Sequence, residues 1–336
     1  MAEKTLAQEI IPPGETQVIE NLTARLKANI VKDYPAGIMR RDAHPKMHGL
    51  VRAEFTVDAD LDAELRVGLF KEPKTYQAWV RFSNASGSIR PDRNNDIRGM
   101  AIKLMGVPGD KVLEAERHAQ THDLLLISAN RFVTRDVAEF DALAAALSGG
   151  LFAKSRFFLC HWRVAWILLR TMRRHANPLQ IRYFSTTPYL FGELAVKYAA
   201  IPHVVAFAER PAKPSADFLR EAMVKQLQVG DTLFDFAVQF QTDAEAMPIE
   251  DPGVEWPESL SPFRKVATLR VFRQEFDTEA QNAFGEHLSF TPWHALPEHR
   301  PLGGINRARK VVYDAISAFR HEYNKVPRTE PSGWDI

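Results

Sequence analysis

The chain has 336 residues, with 43 Lys and Arg against 42 Asp and Glu, 11 His and one cysteine. A net charge of +1 supplies no basic field, which argues against a dedicated nucleic-acid binder, and 25% charged with 45% hydrophobic residues excludes wholesale disorder. The lone thiol, Cys160, excludes an internal disulfide, a cysteine zinc site and an iron–sulfur cluster.

The N-terminal stretch MAEKTLAQEIIPPGE has no continuous apolar segment and no small-residue cleavage site. It does not read as a secretory leader, and the expected compartment is the cytoplasm, which suits a free thiol. Val18, Leu22, Leu26 and Ile30 hold a helical spacing over 15–32. Val51, Ala53, Phe55 and Val57 alternate with polar residues and predict a half-buried strand. Trp79 to Ser83 predicts another, with Val80 and Phe82 on one face and Trp79, Arg81 and Ser83 on the other. Met100, Ile102 and Leu104 alternate again, and Leu124 to Ile127 is an apolar strand.

Residues 136–148 and 155–173 predict helices. Within the second, Phe157 to Met172 is the most apolar stretch of the chain, but it is too short and too rich in arginine to span a bilayer. It reads as a core helix, or as one that lies on a membrane or lines an apolar substrate entrance. Phe234, Phe236, Val238 and Phe240, then Ala267, Leu269 and Val271, predict two more strands. Residues 251–262 read as a long crossing loop between them, and 306–323 as a helix. Strands and helices do not alternate strictly, so the pattern predicts a mostly antiparallel sheet or barrel with helices gathered beside it.

Three clusters carry chemistry. Arg309, Tyr313 and Arg320 fall within roughly 60° of one helical face. Nearby cations favour a phenolate, a hard ligand for ferric iron; the plainer reading is a solvated face with arginine stacked on tyrosine. In RRDAHPKMHG, residues 40–49, Pro45 and Gly49 argue for an irregular loop, in which His44 suits a general base. His44, His48, His118 and His122 form two spaced pairs, but neither has the glutamate of an H-E-x-x-H hydrolase. Arg41, Arg81, Arg98 and Arg320 are candidates for an anion cradle.

Together these segments resemble the catalase superfamily, and within it the short catalase-related haem proteins. The stretch RDAHPKMHG from Arg41 to Gly49 is similar to the family's R-x-x-H-A-K-x-x-G. VRFS, residues 80–83, matches V-R-F-S, and NDIRGMAIK, residues 95–103, is similar to R-D-x-R-G-F-A-V-K. Arg309, Tyr313 and Arg320 match the proximal R-x-x-x-Y with an arginine seven residues on. The matches run from about residue 35 to 325 in the family's order.

The resemblance implies an α+β fold: an antiparallel β-barrel core with flanking helices, as one haem domain over 35–336 behind an N-terminal helical arm, 1–34. It implies haem b as cofactor. Tyr313 is then the iron ligand, tuned by Arg309, and Arg41, Arg81 and Arg320 pair with the propionates. His44 is the distal base, held by Ser83, and Asp96 lines the peroxide channel. Gln120 or Thr121 stands where catalases carry a distal asparagine, which disfavours efficient hydrogen peroxide dismutation. The family's Y-P-D-T is Tyr313 followed by DAI here, and no match to its C-terminal extension leads us to expect no bound nicotinamide nucleotide.

The expected activity is reduction of organic hydroperoxides through an oxyferryl species, with an external electron donor. Alternatives are a hydroperoxide isomerase or dehydratase of the allene oxide synthase kind, a weak catalase, or a haem-binding or haem-sensing protein without turnover. Expected partners are a small-molecule peroxide and a reductant, at most peripheral membrane contact, and further copies of the chain, but no nucleic acid.

Overall fold

A pleated chain sends successive side chains to opposite faces, so strict alternation builds a sheet with one apolar side. The structure, a computed structural model, describes residues 5–336. Its strands are β1 (Met47–Val57), β2 (Thr75–Asn84), β3 (Arg98–Met105), β4 (Thr121–Ile127), β5 (Tyr183–Phe184), β6 (Tyr189–Phe191), β7 (Leu194–Pro202), β8 (Thr232–Phe240) and β9 (Arg264–Val271). They pair antiparallel in the order β5-β4-β3-β2-β1-β9-β8-β7-β6. A further pairing of Tyr183 with Ala200 and Phe184 with Ala199 joins β5 to β7. It closes eight strands into a barrel and leaves β6 as a side strand on β7. Closure removes the unpaired edges that an open sheet must otherwise protect.

The alternating residues read from the sequence fill this barrel. Phe55, Val80, Phe82, Ile102, Leu124, Phe236 and Leu269 belong to one buried cluster. The opposite faces of β2, β3 and β4 therefore point out of the barrel, and helices cover them. The helices are α1 (Glu15–Asp33), α2 (Val137–Ser148), α3 (Leu151–Cys160), α4 (Trp162–Thr171), α5 (Phe218–Val229), α6 (Glu279–His287) and α7 (Gly304–Asn324). Leu22 and Ile30 of α1, Ala144 of α2, and Val312 and Ile316 of α7 share a second apolar cluster. Arg307 of α7 ties in the N-terminal segment through Glu9 and Glu15, and the β8–β9 connection through Glu250. Among the described residues no helix is long and apolar enough to cross a membrane.

The helix predicted over 155–173 is two helices. The break falls at His161, whose backbone leaves the helical region at φ −117°, ψ 54°. The His161 ring stacks on Phe157 at 4.2 Å between centroids, and its Nδ1 lies 2.9 Å from the Glu139 carboxylate. That tertiary bond to α2 outweighs helix continuity. The two-residue β5 and three-residue β6 are too short to show a period. The helix α5 is not among the predicted elements, although its buried Leu219, Met223 and Leu227 keep the i, i+4, i+8 spacing.

Several histidines inside this fold are held neutral. Burial pushes His48 and His122 well below their ordinary value, His294 to about 3 and His299 to about 4. The unfolded chain takes up these protons near pH 6.5 and the folded one does not. Their contribution to stability is complete above that pH and is lost as the pH falls through the unfolded value towards about 4. Denaturant midpoints should therefore drop steadily from about pH 7 to about pH 4, with about three to four protons taken up on unfolding. A flat profile would contradict the buried, neutral assignment.

Candidate functional site

Outside the barrel, a cavity lies between the outward faces of β2, β3 and β4 and the inner face of α7. It encloses about 870 Å³ not filled by atoms, part of it open to solvent. Arg81 and Ser83 of β2 and Leu125 and Ile127 of β4 form one wall. Arg309, Val312, Tyr313, Ile316 and Arg320 of α7 form the other, and the loop from Arg41 to His44 closes one side.

On the β2 side, the His44 Nδ1 lies 2.9 Å from the Ser83 hydroxyl. Among the described residues nothing bonds its Nε2. The His44 backbone sits at φ +63°, a left-handed conformation uncommon outside glycine. Arg81 stabilises it by donating from Nη2 to the His44 carbonyl at 2.9 Å. Gly99 of β3 makes the room: a Cβ there would lie 2.5 Å from His44 Nδ1 and 2.8 Å from Ser83 Oγ. Burial, reinforced by Arg81, Arg309 and Arg41, pushes the His44 imidazole down to about 3. The ring is thus neutral at any ordinary pH.

On the α7 side, the Arg309 guanidinium carbon lies 5.8 Å from the Tyr313 ring centre. Burial disfavours the Arg309 charge, but the neighbouring Tyr313 and Tyr189 phenols outweigh it and raise its pKa. Its Nη1 also donates to Thr187 Oγ1 and Asn306 Oδ1, each at 3.3 Å. Asn306 sits one turn before Arg309 on the same helix face, so its contact was readable from spacing. Thr187, 122 residues away in sequence, was not.

Arg41, Arg81 and Arg320 meet at one end of the cavity. Arg320 donates to the carbonyls of Glu286 and His287 at 2.5 and 3.2 Å, where α6 ends and its carbonyls lack partners. Arg41 donates to the Leu288 carbonyl and lies 3.5 Å from the Glu286 carboxylate. Burial and then Arg41 push Arg81 well below its ordinary value, and burial and Arg41 push Arg320 to about 9. Asp42, also on the cavity wall, is pushed up to about 7 by burial and by Asp33. Among the described residues Arg81 Nε has no hydrogen-bond partner, and Arg41 Nη1 has only the ion pair to Glu286 at 3.5 Å. The pocket holds more buried positive charge than its own carboxylates balance.

Other predicted residues are elsewhere. Gln120 is exposed, and its side chain donates to the His118 carbonyl at 3.4 Å. Thr121 begins β4, at the end away from the cavity, and its hydroxyl donates to Glu330 Oε2 at 2.7 Å. Neither lines the cavity, so the assignment of a distal polar group to Gln120 or Thr121 is corrected. The cavity wall from β4 is Leu125 and Ile127, because the strand reaches the site with its last residues rather than its first. Asp96 also lies off the cavity wall; its carboxylate accepts the Ser86 and Ile97 N–H groups at 3.3 and 2.9 Å. Arg98 leaves the proposed cradle, bonding Asn84 and the Asp92 and Asn94 carbonyls. His48 bonds Asn84, His118 is exposed and His122 meets His299 edge-on, so the four histidines gather no metal site.

No family model and no curated protein matches the chain in sequence. In three dimensions it is similar to a fungal catalase, with a TM-score of 0.67 and 16% identity over 95% of this chain and 66% of that one. It is also similar to a bacterial catalase (TM-score 0.62, 16% identity, 96% of this chain, 63% of that one). Catalase A from Saccharomyces cerevisiae gives 0.64 at 17% identity, over 95% of this chain and 68% of that one. The chain spans about two thirds of the length of these catalases. At such identity the likeness speaks for the fold, and the fold of this chain is that of the catalases.

Proposed function

We propose that the chain is a haem b-dependent peroxidase that reduces organic hydroperoxides at this cavity. The observation that carries the reading is the surplus of buried guanidinium at the end of a cavity whose two walls bear His44 and Tyr313. The cavity's chemistry fits haem b. Arg81 Nε, buried without a hydrogen-bond partner among the described residues, and Arg41 Nη1, which has only a long ion pair to Glu286, call for a carboxylate ligand, and Leu125, Ile127, Val312 and Ile316 suit an apolar ring. Arg41, Arg81 and Arg320 would pair with the propionates, and the Tyr313 oxygen would hold the iron. Bound there, the haem iron supplies the redox chemistry that breaks a peroxide O–O bond.

The chain's own residues handle the proton. A neutral His44 with its hydrogen on Nδ1 donates to Ser83 Oγ and leaves Nε2 free to accept. Nε2 takes the hydroperoxide proton and returns it to the departing oxygen, which leaves as the alcohol. The depressed basicity of His44 keeps Nε2 unprotonated at neutral pH. Arg309 steadies negative charge on the Tyr313 oxygen. Leu125 and Ile127 offer an apolar surface to the organic part of the substrate and no side-chain donor to hydrogen peroxide, which favours organic over inorganic peroxide. An external donor completes the cycle.

Holoprotein mixed with cumene hydroperoxide, a fatty-acid hydroperoxide or hydrogen peroxide, each with a dye donor, separates the readings. Donor oxidation with the organic peroxides is expected; oxygen release from hydrogen peroxide, or an epoxide product without donor oxidation, would overturn it. Tyr313→Phe should lose or strongly weaken haem in spectral titration, and unchanged affinity and spectrum would refute the ligand assignment. His44→Ala should slow peroxide consumption by about 10²-fold with haem retained. Gly99→Ala should cost about 1–3 kcal/mol through the clash with the His44 ring. Adding His44→Ala should recover part of that stability, because the ring atoms are gone while Ser83 Oγ, 2.8 Å from the new Cβ, remains; equal melting of the single and double variants would argue against this packing.

A further inference from the structure

One surface of the molecule plays no part in the site above. In α4, Val164, Ile167 and Thr171 pack inward. Trp162, Trp166 and Leu169 fall within roughly 60° of one another on the opposite face. They are 73%, 42% and 79% exposed. The helix is therefore apolar on two faces, and the fold covers one. Its neighbour α3 adds Leu151, Phe152 and Leu159, all more than four-fifths exposed. Single exposed apolar residues are ordinary; six on two consecutive helices are not.

Charge identifies what covers them. Between residues 142 and 192 the sequence has no Asp or Glu, while α3, α4 and the turn after them carry Lys154, Arg156, Arg163, Arg170, Arg173 and Arg174. Arg163 is paired with Asp251; the other five have no acidic partner among the described residues. Arg170 stacks on Trp166 with its guanidinium carbon 5.1 Å from the ring centre. A two-fold pairing of this face with a second copy would set its cationic rim against itself. Exposed Trp, Phe and Leu inside a rim of Lys and Arg match a lipid interface with anionic headgroups.

We propose that α3 and α4 form the docking surface by which this protein binds an anionic lipid bilayer peripherally. The apolar side chains enter the headgroup–acyl boundary, and the cations contact the lipid phosphates and carboxylates. This does not rest on the haem reading, since binding is measured without turnover.

The test is co-sedimentation of the full chain with phosphatidylcholine vesicles, with and without phosphatidylserine. Binding is expected with phosphatidylserine and is expected to weaken as salt rises. Arg156→Ala and Arg170→Ala should each weaken it about fivefold. Trp162→Ser with Leu169→Ser should weaken it more than about tenfold. Quenching of the parent's tryptophan fluorescence by brominated acyl chains checks insertion without any variant. Failure of the parent to sediment or be quenched would overturn the proposal. So would equal binding by the double-serine variant, or a parent dimer that this variant splits, which would assign the face to a second copy.

Discussion

Arg41, Arg81 and Arg320 are buried together with Glu286 beside them and no full set of countercharges. Moving a guanidinium out of water costs several kcal/mol even after relaxation, and like charges side by side add to that. The chain offsets part of this cost with carbonyl oxygens at the C-terminal end of α6. The rest is left for a ligand. The outward face of β2, the loop before β1, the end of α6 and the last turns of α7 all converge there. Much of the architecture around the cavity follows from bringing those three arginines to one place.

Barrel closure is the second constraint. Because β5 bonds both β4 and β7, the barrel interior is sealed and filled with aromatic and branched side chains. No room for a ligand remains inside. The site is therefore built on the outside of the barrel, where the polar alternates Arg81 and Ser83 of β2 face α7. Gly99 lets the His44 ring lie directly against β3, and Ser83 fixes that ring from the neighbouring strand. A glycine within a strand, which weakens sheets elsewhere, here permits a close approach.

How much was legible varied with distance along the chain. Arg309, Tyr313 and Arg320 share a helix, so a single period placed them on one face. Arg81 and Ser83 share a strand, and alternation separated them from Val80 and Phe82. Gln120 and Thr121 were misplaced because a motif says which strand serves the site but not which end of it approaches. Likewise 155–173 looks like one helix until Glu139, from a different helix, bonds His161 and breaks it. Glu286 and Thr187 carried no local signal, because each matters only through a neighbour distant in sequence, and the motif that holds Gly99 did not say that it makes room for His44.

The sequence by itself determined the periods: which residues of each strand enter the core, and which face of α7 carries the arginines and the tyrosine. Those are local properties of a pleat and a helix. Only the tertiary structure decided that the face of β2 opposite the core meets that face of α7, that Arg98 turns away from the cradle, and that α4 keeps a second apolar face in water. These outcomes depend on the closure of the barrel and on the position of chain ends and loops, which no residue spacing encodes.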